Sequence, residues 1–244
     1  HEVRGPGEFT GQDILATIEA RRADVGIVTV APELPGVLDL VPALVRAGHR
    51  VSIGHTGADW EQAVAAIDAG ARHATHLYNR MTPMTHRAPG VVGAILSRDD
   101  VRAELICDGW HVHPAACRVA IAAKGAHGVM AITDGTSGSG LPPGSTGRLG
   151  GRPILVSDQV ACLEDGTIAG SVLTMDRAFR NIVTMFRASV IEAAVMCSTT
   201  PARALGLVGV GAIAEGHVAD VVVLDRALRV ERTFIDGEEV YRAG

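Results

Sequence analysis

Five apolar runs recur along the first half of the chain: VGIVTVAPE (25–33), HRVSIGHT (49–56), RHATHLYN (72–79), AELICDGWH (103–111) and HGVMAITDG (127–135). They are rich in Val and Ile and nearly continuous rather than alternating, the pattern of parallel strands covered on both faces. Between the first three, PGVLDLVPALVRAG and DWEQAVAAIDAG carry helical periodicity and close on Gly48 and Gly70, a usual helix stop. The interval from run to run is roughly 20–30 residues, the length of one strand–helix unit. The pattern predicts a parallel α/β barrel or open sheet.

Past Asp134 the beat breaks. TSGSGLPPGSTGRLGG (136–151) is a Gly/Ser/Pro loop too long for a mere connection, and such loops often serve as lids or substrate loops. A hairpin-like stretch is expected over 153–169, then helices from about Leu173 to Ala188 and from about Val190 to Ala204. The end, HVADVVVLDRALRVERTFIDGEEVYRAG, reads as strands turning at Asp225-Arg226 and Asp236-Gly237. The expected division is a barrel unit over 1–205 and a small β-sandwich-like appendage over 206–244.

The ends of the runs carry the chemistry. One closes on Gly54-His55, the next on Thr75-His76, the next on Asp108-Gly109-Trp110-His111, and the last on Thr133-Asp134. In parallel α/β folds the carboxyl ends of the strands converge on one face, where active sites lie. Four consecutive tips with His, His, His and Asp suit metal-assisted hydrolysis. Neutral imidazoles of His55 and His76 can hold a divalent ion, which lowers the pKa of a bound water. Asp134 can then take the proton and pass it to a leaving amine. His49, His73, His86, His113, His127 and His217 lack the strand-tip context and read as structural or surface residues.

Composition narrows the setting. Of 244 residues 47% are hydrophobic but only 3% aromatic, so the core is built from Ala, Val, Ile and Leu. A net charge of −5 with no basic block argues against a nucleic-acid surface, while leaving room for one small anion. No apolar stretch reaches the about 18–20 residues of a membrane span, and the opening HEVRGPGEF has no signal-peptide core, so a cytoplasmic protein is expected. Cys107, Cys117, Cys162 and Cys197 are scattered without a CxxC pair and read as free thiols. The chain begins at His1 rather than Met, which is read as a processed product or a fragment.

The blocks GHTGADW, ATHLYNRM, Arg87-Ala88-Pro89-Gly90, ICDGWHVH, AITDGT and TIAGSVLTM resemble the successive blocks of N-acetylglucosamine-6-phosphate deacetylases, in the amidohydrolase superfamily. The ending TTPARALGL with IAEGHVADVVVLD resembles that of the superfamily as a whole. The resemblance implies a (β/α)₈ TIM-like barrel of the amidohydrolase type, with its N-terminal strands absent from this chain, and a small C-terminal β appendage. It makes His55 and His76 the ligands of one divalent metal ion per subunit, zinc first and iron, manganese or cobalt as alternatives, and Asp134 the acid/base. It sets Asn79 and Arg80 against a sugar phosphate, Arg87 on the phosphate itself, Asp108, Gly109 and His111 in a substrate-contacting block, and Ile168, Ala169 and Gly170 over the substrate. A homodimer is implied as well.

Two departures stand out. Position 80 is Arg where the family often has a small residue. The family's metal-binding Glu belongs to an HLEGP block that these residues do not contain; that carboxylate and the first barrel strands are expected upstream of His1. Glu33 in TVAPE is the one tempting substitute, but the family carries APE in addition to that Glu. Two readings compete with the deacetylase: an amidohydrolase of another amide, and a non-catalytic fragment serving as a binding or assembly subunit.

Overall fold

In a computed structural model, residues 11–244 are described, with the side chains of 11–14 left aside; the opening segment and His1 lie outside them. Helix α1 (Gly11–Ala20) leads into a five-stranded parallel sheet, β1 (Ile27–Val30), β2 (Arg50–Ile53), β3 (His73–Ala74), β4 (Arg102–Ile106) and β5 (Val129–Ile132), hydrogen-bonded in sequence order. The connecting helices are α2 (Val37–Arg46), α3 (Trp60–Asp68), α4 (Gly90–Ser97) and α5 (Pro114–Lys124). Strand–helix alternation with every neighbour parallel is the barrel pattern the apolar runs predict.

Local chemistry sets the helix ends. Asp59 caps α3 by accepting the Gln62 amide, and Gln62 returns the bond to the Asp59 N–H. His113 caps α5, its imidazole accepting the Ala115 amide, with Pro114 at the first helical position. Helix α4, GVVGAILS, is buried from Gly90 to Ile95, so it shows no amphipathic stripe.

The strands are shorter than their apolar runs. In RHATHLYN only His73 and Ala74 remain in a ladder, because the next residues turn through left-handed backbone. The core of the first three units is Val41, Leu44, Val51, Ile53, Ile67, Leu77 and neighbours; a second cluster around Leu105, Ile106, Val129, Ile182 and Met196 joins β4 and β5 to the later helices.

The stretch expected as a hairpin holds three strands, and with one strand inside the expected loop they form a four-stranded antiparallel sheet, β6 (Thr146–Leu149), β7 (Arg152–Val156), β8 (Val160–Cys162) and β9 (Ile168–Ser171). It carries its own small core of Ile154, Val156, Ala161, Ala169 and Val172. Helix α6 (Met175–Thr184) follows, then α7 (Val190–Ala194), a π-helical turn (Val195–Thr199) and α8 (Thr200–Ala204). The last strands, β10 (Val221–Leu224), β11 (Val230–Ile235) and β12 (Glu238–Arg242), form one antiparallel sheet with turns at the two expected places.

Candidate active site

His55, His76 and Asp134 each follow a strand of the parallel sheet by two residues, and each has left-handed backbone, with φ of +48°, +34° and +49°. Non-glycine residues occupy that region at a cost and gather at functional sites. Tyr78 and Arg80 share it, at +77° and +51°.

Why the β2 and β3 tips can lie side by side follows from Gly54. A Cβ there would sit 2.7 Å from the Cβ of Thr75, closer than side-chain carbons approach. The His55 and His76 rings accordingly meet edge to face, centroids 4.6 Å apart at 68°. A hydroxyl chain links β1 and β2 through the residue after β3: Ser52 and Thr75 are bonded at 2.6 Å, Thr75 and Thr29 at 3.0 Å.

Electrostatics favour the neutral form of the His55 ring. Burial holds the His55 imidazole below its ordinary pKa, the charge of His76 pushes it lower, and Asp134 opposes both. His76 is buried and its Nδ1 makes no hydrogen bond among the described residues. Its backbone N–H donates to a carboxylate oxygen of Glu104 at 3.4 Å. Burial pushes the Glu104 carboxyl up to about 7; the His76 N–H works against that, and Asp134 adds to it.

An imidazole must be neutral to bind a metal, and a buried nitrogen without a partner is a lone pair available for one. The two rings therefore fit as two ligands of a divalent ion. Among the described residues no group of three or more His, Cys, Asp and Glu side chains is gathered closely enough to hold an ion alone.

Asp134 is exposed, and its backbone carbonyl accepts the Ser171 amide at 2.9 Å. The Ser171 hydroxyl donates to the Thr133 carbonyl, and Gly135 bridges Ser171 in parallel. The β6–β9 sheet is thus fastened to the β5 tip through β9, the strand of Ile168, Ala169 and Gly170. Ile168 is exposed and Ala169 buried; Gly170 has φ +78°, and a Cβ there would come within 2.3 Å of the Thr136 methyl.

The remaining candidates divide. Asn79 turns its amide back onto the carbonyls of His76 and Leu77, at 3.3 and 3.4 Å. Arg80 is exposed; its carbonyl accepts the Thr56 amide at 2.9 Å, and its charge is one of the lesser influences lowering His55. Arg87 is exposed between β3 and α4, its guanidinium without a hydrogen bond or ion pair among the described residues. Asp108 is buried: one oxygen accepts the Trp110 and His111 amides at 2.8 and 2.9 Å, the other meets His111 Nδ1 at 2.6 Å. Those bonds hold its carboxyl below the usual range although burial opposes them. Gly109, φ +79°, lies where a Cβ would strike the Met185 methyl at 2.5 Å.

Three of the other six histidines are tied to structure: His49 Nδ1 to the Val25 carbonyl, His113 to its helix end, His217 to the Ala212 carbonyl. Two contributors went unread in the sequence. Glu104 is signalled only as a lone acid inside a buried strand. Thr56 joins loops that lie far apart in the chain.

The sequence model of the amidohydrolase family matches residues 46–240. The chain belongs to the amidohydrolase family. Among curated amidohydrolase relatives, it is 41% identical over 210 residues to the N-acetylglucosamine-6-phosphate deacetylase of Lysinibacillus sphaericus, covering 86% of this chain and 54% of that protein. It is 40% identical over 213 residues to the N-acetylgalactosamine-6-phosphate deacetylase of Escherichia coli O157:H7, covering 87% and 56%. Among solved structures, a mutant N-acetyl-D-glucosamine-6-phosphate deacetylase from Mycobacterium smegmatis in complex with N-acetyl-D-glucosamine-6-phosphate superposes with a TM-score of 0.90 at 36% identity, over 98% of this chain and 64% of that one. The chain spans about half the length of the curated relatives it matches. The amidohydrolase barrel and the resemblance to the sugar-phosphate deacetylases both stand.

Proposed function

We propose that the protein carrying this chain is a metal-dependent deacetylase that hydrolyses the acetamide of N-acetylglucosamine 6-phosphate to glucosamine 6-phosphate and acetate. The observation that carries the reading is the His55–His76 edge-to-face pair beside the Asp134 tip, on a chain about 40% identical to such deacetylases. His55 and His76 would hold one divalent ion, zinc first, with iron, manganese or cobalt as alternatives. When bound, the ion polarises the amide carbonyl and acidifies water.

The protein's own groups do the rest. Asp134, exposed at its strand tip, accepts the proton of the attacking water and delivers it to the departing nitrogen. Arg87, with a planar guanidinium that has no partner among the described residues, takes the phosphate in two parallel hydrogen bonds. Asn79 and Arg80 line the sugar-phosphate side. The block of Asp108, Gly109 and His111 contacts the substrate, with Asp108 fixing the His111 ring, and Ile168 to Gly170 cover the substrate. The same proposal takes 1–205 as a barrel unit and 206–244 as an appendage, and expects a cytoplasmic homodimer.

Acetate release from N-acetylglucosamine 6-phosphate, N-acetylgalactosamine 6-phosphate and unphosphorylated N-acetylglucosamine tests it, with metal content measured on the same full-length sample. Fastest turnover of the first supports the proposal. Preference for the galacto epimer corrects the sugar, and turnover of neither phosphate overturns the reading.

A further inference from the structure

Glu33 lies just beyond β1, 22 residues before His55, and both of its oxygens are engaged by the turn that carries that histidine. The Gly57 amide donates to Oε1 at 2.6 Å, and the Thr56 hydroxyl donates to Oε2. Thr56 is itself buried and makes two further bonds. Its hydroxyl oxygen accepts the Ala58 amide at 3.0 Å, and its N–H donates to the Arg80 carbonyl at 2.9 Å, next to a parallel bridge from Thr56 to Met81. The Glu33 carboxylate together with the hydroxyl and backbone N–H of Thr56 thus fastens the loops after β1, β2 and β3.

We propose that Glu33 is a positioning residue: its carboxylate fixes the left-handed turn that presents His55, and Thr56 passes the constraint to the turn after His76, so that both imidazoles are set jointly. The physical case is the backbone. His55 at φ +48° and Arg80 at +51° lie in a region that non-glycine residues leave unless something holds them. The Glu33–Thr56 junction bonds to residues adjoining the first and to the second itself. Each Glu33 oxygen accepts one hydrogen bond from the turn that carries His55, which is the geometry of a carboxylate that holds this loop.

This inference rests on His55 and His76 being metal ligands, and the experiment separates the two. Zinc affinity is measured by chelator competition in the full-length protein and in His55→Ala, Glu33→Ala, Glu33→Gln, Thr56→Val and Thr56→Ser, with the cobalt(II) absorption spectrum and the melting temperature of the metal-free protein taken alongside. Loss of a group that orients a ligand weakens metal binding by about 10–100-fold. Glu33→Ala and Thr56→Val are expected to fall in that range with a changed cobalt spectrum, and to fall no further when combined. Thr56→Ser, which keeps the hydroxyl, and Glu33→Gln, which keeps one acceptor and gains a donor, are expected within a few-fold of the parent.

If Glu33→Gln loses zinc as severely as Glu33→Ala while Thr56→Val keeps it, Glu33 is a ligand and the inference is wrong. It is equally wrong if affinity loss merely tracks the melting temperature of the metal-free protein, or if Glu33→Ala binds zinc like the parent. Full zinc retention in His55→Ala overturns the ligand assignment on which the inference stands. Should Glu33→Ala fail to fold, Thr56→Val against Thr56→Ser decides.

Discussion

The imidazoles of His55 and His76 come from neighbouring parallel strands and meet edge to face at 4.6 Å, an approach that the missing side chain of Gly54 permits. Replacing either ring by Ala is expected to remove the bound metal and abolish hydrolysis. Elemental analysis of the two single variants checks this; stoichiometric metal in both would end the ligand assignment.

Asp134→Asn keeps size and polarity but cannot accept a proton. Turnover is expected to fall by roughly 10²–10⁴-fold while substrate still binds, the usual scale for losing general acid–base catalysis. Single-turnover kinetics with direct binding reads both; turnover within a few-fold of the parent would assign the proton to another group.

Arg87→Ala is expected to weaken binding of the 6-phosphorylated sugar far more than of its unphosphorylated form, since a charge-assisted contact is worth about 1.5–3 kcal/mol. Comparing KM for the two sugars is the measurement. Equal losses on both would make Arg87 structural.

His73 is buried, and burial first, then the charges of Arg102 and Arg50, bring its imidazole down to about 4. In the unfolded chain it titrates near 6.5, so between those values the unfolded state binds more protons and stability falls as pH drops. The contribution, fully present above pH 6.5, is up to about 3 kcal/mol. Denaturation midpoints from pH 7 to 4 are expected to show a shallower acid slope in His73→Gln than in the parent; identical slopes would exclude His73.

Glu104 runs the other way. Its folded pKa of about 7 lies above the ordinary 4.5, so stability is lost as pH rises between the two. Glu104→Gln is expected to gain on the order of 1–3 kcal/mol at pH 8 and almost nothing at pH 4. Urea titrations of both proteins at the two pH values decide it, and a gain that is the same at both would assign the effect to packing.

How much of this was legible depended on whether the signal was local. The runs around Ile27–Val30, Arg50–Ile53 and Val129–Ile132 announced themselves because a doubly covered parallel strand needs unbroken β-branched residues. The tips His55, His76 and Asp134 were readable for the same reason: a polar residue ending such a run breaks the pattern. Helix α4 gave no periodicity because it is buried on all sides, and the Gly-rich loop 136–151 concealed the strand β6 that extends the expected hairpin into a four-stranded sheet. The Glu33–Thr56 bond joins residues 23 apart, and the π-helical turn at Val195–Thr199 has no compositional mark. Both arise from packing between loops or helices, which no window along the chain contains.

Of the eight non-glycine residues with positive φ among the described residues, five are His55, His76, Tyr78, Arg80 and Asp134. A left-handed residue with a Cβ costs about 1–2 kcal/mol, which glycine would return. A library screened only for heat resistance would therefore enrich glycine at positions that include the proposed metal ligands and the proposed acid/base. Selection for durability and selection for turnover draw on the same few residues with opposite sign, so a thermostability campaign on this scaffold has to exempt its strand tips and search the helices instead.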